Sequence, residues 1–214
     1  MSLRFDTSDP DERRRGLEAA TSAVRRGDLV VLPTDTVYGV GCDAFSALGV
    51  TRLLEAKRRG RDLPLPVLVG TPQTLEGLAY GLSKAARDLV EAFWPGALTV
   101  VVRAQPSLAW DLGDAAGTVA LRMPLHPVAI ELLTATGPMA VTSANVAGAA
   151  PATDFAQADQ QLGDAVAIYL DAGPVLEAVP STIVDVTGPT PRLLRAGAFD
   201  VETLRSVCPE ILVD

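Results

Sequence analysis

Short apolar runs alternate with helical segments along most of the chain, and this alternation restricts the fold more than any other feature of the sequence. Segment 9–27 begins with Asp9-Pro10 and has apolar residues at helical spacing, and the apolar run 29–33 follows it. Proline is favoured in the first turn of a helix, and a short run rich in β-branched residues is typical of a buried strand. A helix therefore leads directly into a strand.

The same succession recurs further along the chain. Ser46 and Ser83 each stand where a side-chain cap would start a helix, and the apolar runs 64–70 and 98–102 follow these helices. Further strands are predicted at TVALRM, PMAVTS, AVAIYL, TIVDV and RLLR, with a helix that starts near Pro127. This pattern favours an α/β fold on a largely buried sheet, and we predict a single domain over residues 1–214.

Composition argues against several classes of protein. Hydrophobic residues make up 48% of the chain and charged residues 21%, which is ordinary for a globular protein. No apolar run approaches the ~18 residues of a membrane span, and the first residues lack the apolar core of a signal peptide, so we expect a cytoplasmic protein. Two cysteines and one histidine support neither a disulfide framework nor a metal site. The histidine, His126, precedes a proline and is expected to be structural or exposed rather than catalytic.

One stretch is strongly basic. Residues 52–61, RLLEAKRRGR, hold five cationic residues and one acidic residue, a local charge of +4 in a chain whose formal net charge is −8. A helix macrodipole favours two or three cations at a helix C-terminus but does not explain all five, and like charges close together repel one another. We therefore predict that this stretch binds an anion, although the overall acidity argues against nonspecific coating of nucleic acid.

Polar residues follow several of the predicted strands. PTDTVYGVG comes after the first strand, and Thr142, Ser143 and Asn145 follow the apolar part of PMAVTS. Ligands in α/β sheets bind beyond the carboxyl ends of strands, yet these residue types are also ordinary turn formers, so both interpretations stay open. Arg122 ends an apolar strand, where its burial is costly unless an anion or a carboxylate pairs with it.

Seven motifs together resemble the YrdC/YciO-like family. In chain order they are PTDTVYGVG, Lys57-x-Arg59, WPGALT, ALRMP, Ser143-x-Asn145, STIVD and LLRAGAF. The resemblance runs from about the first helix to the last motif. It implies a twisted mixed β-sheet flanked by helices around a concave basic cavity. It also implies an enzyme that forms threonylcarbamoyl-AMP and pyrophosphate from L-threonine, bicarbonate or CO2, and ATP with Mg²⁺, for threonylcarbamoyladenosine modification of tRNA.

The resemblance further implies roles for nine residues. Lys57 and Arg59 would hold the triphosphate and act in catalysis. The other ATP-binding residues would be Thr118, Ser143, Asn145 and Arg195, and the threonine-binding residues would be Thr36, Arg122 and Ser181. Downstream threonylcarbamoyl-transferase proteins would take the product, and the chain could also contact tRNA.

Two positions depart from the family pattern. Many relatives have proline at the position of Gly60 and histidine at that of Leu68, so one expected contact to the threonine pocket is in doubt, and Leu68 is expected in the core. We expect Arg58 and Arg61 to be solvated or to contact RNA or a partner. Segment 144–153, rich in alanine, glycine and proline, is predicted to be a lid over the ligand.

Two alternative functions remain open. The same fold could bind tRNA or double-stranded RNA on a basic concave face without making the adenylate, and such binding would weaken steeply with salt and need no threonine. A paralogous branch of the family could also share these motifs and act on a different substrate. The complete set of motifs favours the synthase.

Overall fold

The structure, a computed structural model, describes residues 2–213. Within this range the chain forms eleven strands, seven α-helices and one 3₁₀ turn. The strands are β1 (Leu3–Asp6), β2 (Val30–Leu32), β3 (Gly39–Asp43), β4 (Val67–Leu68), β5 (Leu98–Arg103), β6 (Thr118–Arg122), β7 (Met139–Ser143), β8 (Ile168–Asp171), β9 (Thr182–Asp185), β10 (Arg192–Arg195) and β11 (Leu212–Val213). The helices are α1 (Pro10–Arg25), α2 (Ala47–Lys57), α3 (Thr74–Leu78), α4 (Lys84–Phe93), α5 (Pro127–Thr136), α6 (Phe155–Leu162) and α7 (Val201–Val207), and the 3₁₀ turn is Gly163–Ala165.

The strands within residues 2–213 form one mixed sheet in the order β1-β8-β2-β3-β7-β4-β6-β5-β9-β10-β11. The pairs β1/β8, β8/β2, β4/β6, β5/β9 and β10/β11 are parallel, and the other neighbours are antiparallel. Many neighbours in the sheet are distant in sequence; Gly39 of β3, for example, lies opposite Ser143 of β7. The predicted mixed α/β architecture is confirmed.

Helices cover both faces of the sheet. Successive side chains of a strand point to opposite faces, and the apolar residues on each face pack against helices. In β2, Val30 and Leu32 pack with α1 and α5, whereas Val31 packs into the larger core on the other face. That larger core contains apolar side chains of α2, α4, α6 and α7. Within residues 2–213, no helix combines the length and the apolar character that crossing a membrane requires.

Three helices begin at the predicted caps. The Asp9 carboxylate accepts hydrogen bonds from two backbone N–H groups of the first turn of α1, at 2.9 and 2.8 Å. The Ser46 and Ser83 hydroxyls each accept one from the N–H three residues on, at 3.1 Å in both cases. These contacts satisfy donors that have no partner inside the helix, which explains why short polar residues mark the helix starts so clearly.

The segment after the first predicted strand is more regular than expected. Residues 33–41 were expected to form either a ligand-binding loop or a plain turn, but Gly39–Asp43 is strand β3, and only the preceding residues form a loop. Glycine usually disfavours strands, and here it permits close packing. A Cβ on Gly39 would lie 2.7 Å from Val141 Cγ1, and one on Gly41 would lie 2.6 Å from the Ala140 carbonyl oxygen.

Six helices and strands have no counterpart among the predictions: β1, β3, α3, α6, α7 and β11. In addition, the strand predicted at 64–70 is reduced to Val67–Leu68, since the prolines at 64 and 66 cannot donate to a ladder.

Candidate functional site

Polar side chains from distant segments meet around a cavity of about 480 Å³ at one end of the central strands. We call it the central cavity. Its wall includes the hydroxyls of Thr36, Thr99, Ser143 and Ser181 and the guanidinium groups of Arg122 and Arg195. Pro66, Leu68, Val141 and Pro180 supply apolar surface. Few polar groups set in an apolar wall are typical of a small-molecule site.

Arg122 is the most constrained of these residues. It is only 7% exposed, and its Nε donates to the Gly96 carbonyl at 3.0 Å, its Nη1 to Thr36 Oγ1 at 3.0 Å and its Nη2 to Asp35 Oδ1 at 2.5 Å. Burial lowers the pKa of this guanidinium from its ordinary value, the charge of Asp35 opposes that shift, and the charge of Arg195 adds to it. The carboxylate partner that we predicted for a buried Arg122 is therefore Asp35.

Two N–H groups of Arg122 have no hydrogen-bond partner within residues 2–213. A guanidinium has five N–H groups. Three have the partners just described, and within residues 2–213 no acceptor is bonded to the remaining one on Nη1 or the remaining one on Nη2. Two N–H donors match the two oxygens of a carboxylate or phosphate.

A hydroxyl chain forms the wall made by β5, β9 and β10. Thr99 Oγ1 and Ser181 Oγ lie 2.9 Å apart, and Arg195 donates to the Ser181 carbonyl oxygen at 2.7 Å and to Ser181 Oγ at 2.9 Å. Ser181 and Thr99 are buried, whereas Arg195 is exposed on its outer side. Burial of part of Arg195 lowers its pKa. This wall thus has a cation next to hydroxyls that can donate to an oxyanion.

Lys57 and Asn145 lie behind Ser143 and support it. Lys57 Nζ donates to the Ser143 carbonyl oxygen at 2.5 Å and to Asn145 Oδ1 at 3.1 Å. The Asn145 amide donates to the carbonyls of Val146 and Ala149 at 2.9 and 2.8 Å. Lys57 is 3% exposed, and burial, with a smaller contribution from the charge of Arg59, lowers its pKa to about 8.

Arg59 and Thr118 lie outside the central cavity. Arg59 donates to the carbonyls of Leu63 and Pro64, and its buried Nε has no hydrogen-bond partner within residues 2–213. Thr118 is at the opposite end of β6 from Arg122, about 13 Å away at the rise of a strand. It lines a second cavity, formed within residues 104–118.

Seven of the nine predicted site residues lie in or next to the central cavity. Thr36, Arg122, Ser143, Ser181 and Arg195 line the central cavity, and Lys57 and Asn145 are one contact behind it. Arg59 and Thr118 lie in two other depressions of the surface.

The unusual residues are also located. Leu68 is 6% exposed, as expected for the core, but it also lines the central cavity and pairs in register with Arg122 on the neighbouring strand. Gly60 is exposed in the loop after α2. Burial lowers the pKa of His126, so its imidazole is neutral at physiological pH.

Sequence reasoning assigned no role to several residues of the site. Thr34, Tyr38 and Thr99 line the central cavity, and Asp35 holds Arg122. All four lie inside the motifs PTDTVYG and WPGALT, so the motifs located the site although they did not identify its individual contacts.

The WPGALT motif supports Arg122 through its backbone. Trp94 is 7% exposed and its indole N–H donates to the Leu98 carbonyl at 2.8 Å, which closes the bend between α4 and β5. Gly96 lies in this bend, and its carbonyl accepts the Arg122 Nε–H. A Cβ on Gly96 would lie 2.5 Å from the Phe93 carbonyl oxygen, so the bend needs glycine here.

The predicted lid, segment 144–153, is bonded to its surroundings. Asn145 spans it internally, the Ala147 N–H donates to the Lys57 carbonyl at 2.9 Å, and the Tyr38 N–H donates to the Ala152 carbonyl at 3.0 Å. Its Pro151 lines the central cavity. Movement over a ligand stays a prediction, and it would have to break some of these bonds.

Neither cysteine of the chain is activated as a nucleophile. Cys42 and Cys208 are buried, and burial raises their pKa values to about 12 and about 11, so both stay protonated thiols at neutral pH. Within residues 2–213, no three His, Cys, Asp or Glu side chains are grouped so that they could hold a metal ion.

Known proteins share both the sequence pattern and this fold. A model of the Sua5/yciO/yrdC family, described as "Telomere recombination", matches residues 22–197. A Mycobacterium tuberculosis protein provisionally named threonylcarbamoyl-AMP synthase is 58% identical over 207 residues, which are 97% of this chain and 95% of that protein. The Bacillus subtilis threonylcarbamoyl-AMP synthase is 35% identical over 98% of this chain, which spans 60% of that longer protein.

Solved structures agree with these relatives. Pyrococcus abyssi Sua5 complexed with L-threonine superimposes with a TM-score of 0.88 at 31% identity, over 100% of this chain and 62% of that protein. Escherichia coli YciO, at 23% identity, shares the fold with a TM-score of 0.82 over 95% of this chain and 100% of its own. The chain belongs to the Sua5/YciO/YrdC family.

Proposed function

We propose that this chain is a threonylcarbamoyl-AMP synthase that makes threonylcarbamoyl-AMP and pyrophosphate from L-threonine, CO2 or bicarbonate, and ATP. The observation that carries the proposal is the buried Arg122 guanidinium, which has two N–H groups left beside the hydroxyls of Thr36 and Ser181. Such a group suits an amino-acid carboxylate. Relatives with this name, and a relative solved with L-threonine, support the same substrate.

The nucleotide would occupy the adjoining side of the site. Ser143 and Arg195 face the central cavity there, and Lys57 and Asn145 hold the Ser143 strand end in place. Arg59 and Thr118 would reach the phosphates from the two neighbouring depressions. The Nε of Arg59 has no partner and can donate directly to a phosphate oxygen. The hydrogen bonds from Arg59 to the two backbone carbonyls can be replaced by bonds to phosphate oxygens at a small cost in free energy.

The reaction needs no nucleophile from the protein. The threonine amine adds to CO2 and loses a proton, which gives a carbamate; bicarbonate reaches the same carbamate with loss of water. A carbamate oxygen then attacks the α-phosphorus, and the bond from that phosphorus to the bridging oxygen of pyrophosphate breaks. The protein contributes positioning and neutralisation of negative charge, which suits a site of arginines, lysine and hydroxyls.

Mg²⁺ is proposed to arrive with ATP. The side chains that face the central cavity are hydroxyls, guanidinium groups and apolar groups, so phosphate oxygens would provide the metal ligands, as is common for Mg²⁺ at nucleotides. Bound there, the ion neutralises charge on the phosphates. We also propose that downstream proteins transfer the threonylcarbamoyl group to tRNA, and that tRNA contacts this chain directly.

The first test is pyrophosphate release from ATP with Mg²⁺, bicarbonate and each of the twenty amino acids in turn. We expect release that requires both threonine and bicarbonate. Release that is independent of the amino acid, or no release, would contradict the proposal. It would favour RNA binding or an enzyme with a different substrate.

Matched variants make the test specific. Arg122→Ala, Lys57→Ala and Arg59→Ala are expected to keep the fold and to lose at least about a hundredfold in turnover. Arg122 and Arg59 would each face an anion, and Lys57 holds the end of the strand that carries Ser143 and adds positive charge behind it. Arg87→Ala is the control, since Arg87 forms an exposed ion pair with Glu76 away from the site and its loss should leave turnover unchanged.

A further inference from the structure

Asp35 connects two separate parts of the site through one carboxylate oxygen. Its Oδ1 accepts from Arg122 Nη2 at 2.5 Å and from the Leu125 backbone N–H at 2.9 Å. Asp35 itself is in the loop between β2 and β3, whereas Arg122 ends β6 and Leu125 is in the turn before α5. The loop that carries Thr36 is thereby attached to the strand that carries Arg122.

This pair is well buried. The side chains of Arg122 and Asp35 are 9% and 15% exposed. A buried guanidinium with no counter-charge is unfavourable, and the charge of Arg195 makes it more so. Within residues 2–213, Asp35 is the only acidic side chain in ion-pair distance of Arg122.

Three contacts fix the plane of the guanidinium. The Gly96 carbonyl, Thr36 Oγ1 and Asp35 Oδ1 each take one N–H from a different nitrogen. We propose that Asp35 is a positioning residue: it holds Arg122 so that the two remaining N–H groups point together at the carboxylate of the amino-acid substrate. This inference rests on the proposed function and adds to it a residue that does not line the cavity.

For threonine binding, position rather than negative charge is what Asp35 contributes. Its charge balances the buried Arg122 guanidinium in the empty protein, so Asp35→Asn should lower the melting temperature. In the complex the substrate carboxylate supplies a counter-charge, so a neutral acceptor of the same shape should still hold the guanidinium in place for threonine. Asp35→Asn keeps an oxygen that can accept from both Arg122 and Leu125. Asp35→Glu keeps the charge but moves the oxygens by one methylene, which displaces the guanidinium.

The experiment measures threonine and ATP dissociation constants by calorimetry, with thermal melts to confirm folding. We expect Asp35→Glu to weaken threonine binding at least about tenfold and Asp35→Asn to stay within about threefold of wild type, with ATP binding changed less than about twofold in both. Asp28→Asn and Asp28→Glu are matched controls, because Asp28 forms a similar pair with Arg52 at 2.7 Å on the surface.

The outcomes separate the two proposals. No threonine binding by wild type overturns the proposed function, and the inference with it. Normal binding by wild type and by Asp35→Glu overturns the inference alone. So does a loss in Asp35→Asn as large as in Asp35→Glu, since charge would then be decisive, or a parallel loss of ATP affinity, since the site as a whole would then be distorted.

Discussion

Burial of Lys57 lowers the pKa of a side chain that we propose supports the nucleotide site. The charged form is disfavoured because the side chain is 3% exposed, and its pKa is lowered to about 8. Below that value the ammonium carries its charge, and above it the charge is lost. A cation that titrates so near physiological pH makes anion binding depend on pH.

We therefore expect ATP affinity to fall as pH rises through about 8, because the ammonium of Lys57 is then lost. The dissociation constant of ATP, measured from pH 7 to pH 9.5, gives the profile. Lys57→Arg is the comparison, since a guanidinium stays charged throughout this range. A flat wild-type profile, or an equal fall in the arginine variant, would show that the charge of Lys57 does not contribute to ATP binding.

Individual residues of the site could be predicted from the sequence, but their hydrogen-bond partners could not. Arg122 could be recognised because an arginine at the end of an apolar strand requires a negative partner. Which carboxylate is that partner could not be recognised, because Asp35 is 87 residues away and its choice depends on the folded sheet. The same holds for the hydroxyl pair of Thr99 and Ser181, which are 82 residues apart.

Among the elements, strand β3 depends on two glycines. We expect Gly41→Ala to lower the free energy of unfolding by about 2 kcal/mol, because its Cβ would lie 2.6 Å from the Ala140 carbonyl oxygen and from Val141 Cγ2. Urea denaturation measures the change. Gly77→Ala in helix α3 is the control, since nothing lies within 4 Å of its Cβ, and it should be neutral or stabilising. Equal effects of the two changes would contradict this account of β3.

Helix α2 ends in a strained residue. Arg58 has φ 50° and ψ 45°, the left-handed conformation, and its N–H and that of Arg59 donate to the last turn of the helix. Glycine adopts this conformation without the steric cost that Arg58 meets.

Arg58→Gly is thus expected to stabilise the protein by up to about 1 kcal/mol and to leave pyrophosphate release unchanged, since Arg58 is exposed at the end of the helix. Urea denaturation and the turnover assay check the two statements. Lost turnover in a well-folded variant would instead place Arg58 on the nucleotide.

Elements with strong local signals were predictable, and those without were not. Side-chain caps and continuous apolar runs gave α1, α2, α4 and the strands β2 and β5, since these depend on neighbouring residues. Helices α3 and α7 are five and seven residues long, and β11 has only two residues, so too few positions are available to form a pattern. The strand order, with its many long-range pairs, is set by packing that no local pattern records.

The central cavity exists only in the fully folded chain, because the sheet brings its residues together from distant segments. Thr36, Arg122 and Ser181 come from segments before β3, at the end of β6 and before β9, which the strand order brings to one end of the sheet. A ligand that contacts all three segments binds the folded state alone and should stabilise the entire domain.

Threonine at one hundred times its dissociation constant is accordingly expected to raise the free energy of unfolding by about 2.7 kcal/mol. Urea denaturation with and without threonine measures this. Arg122→Ala at the same threonine concentration should show little of the increase. Stabilisation of equal size in that variant would place threonine elsewhere on the molecule.

The tryptophan positions have a practical consequence. The chain has two tryptophans. Trp94 closes the bend whose carbonyl holds Arg122, and Trp110 lines the second cavity beside Thr118 and stacks on Phe45 with ring centroids 5.4 Å apart. Trp94 is thus linked to the central cavity through Arg122, and Trp110 lies in the wall of the second cavity. Emission from Trp110→Phe would follow the amino acid and emission from Trp94→Phe the nucleotide, so the order in which substrates bind can be recorded in real time without a label.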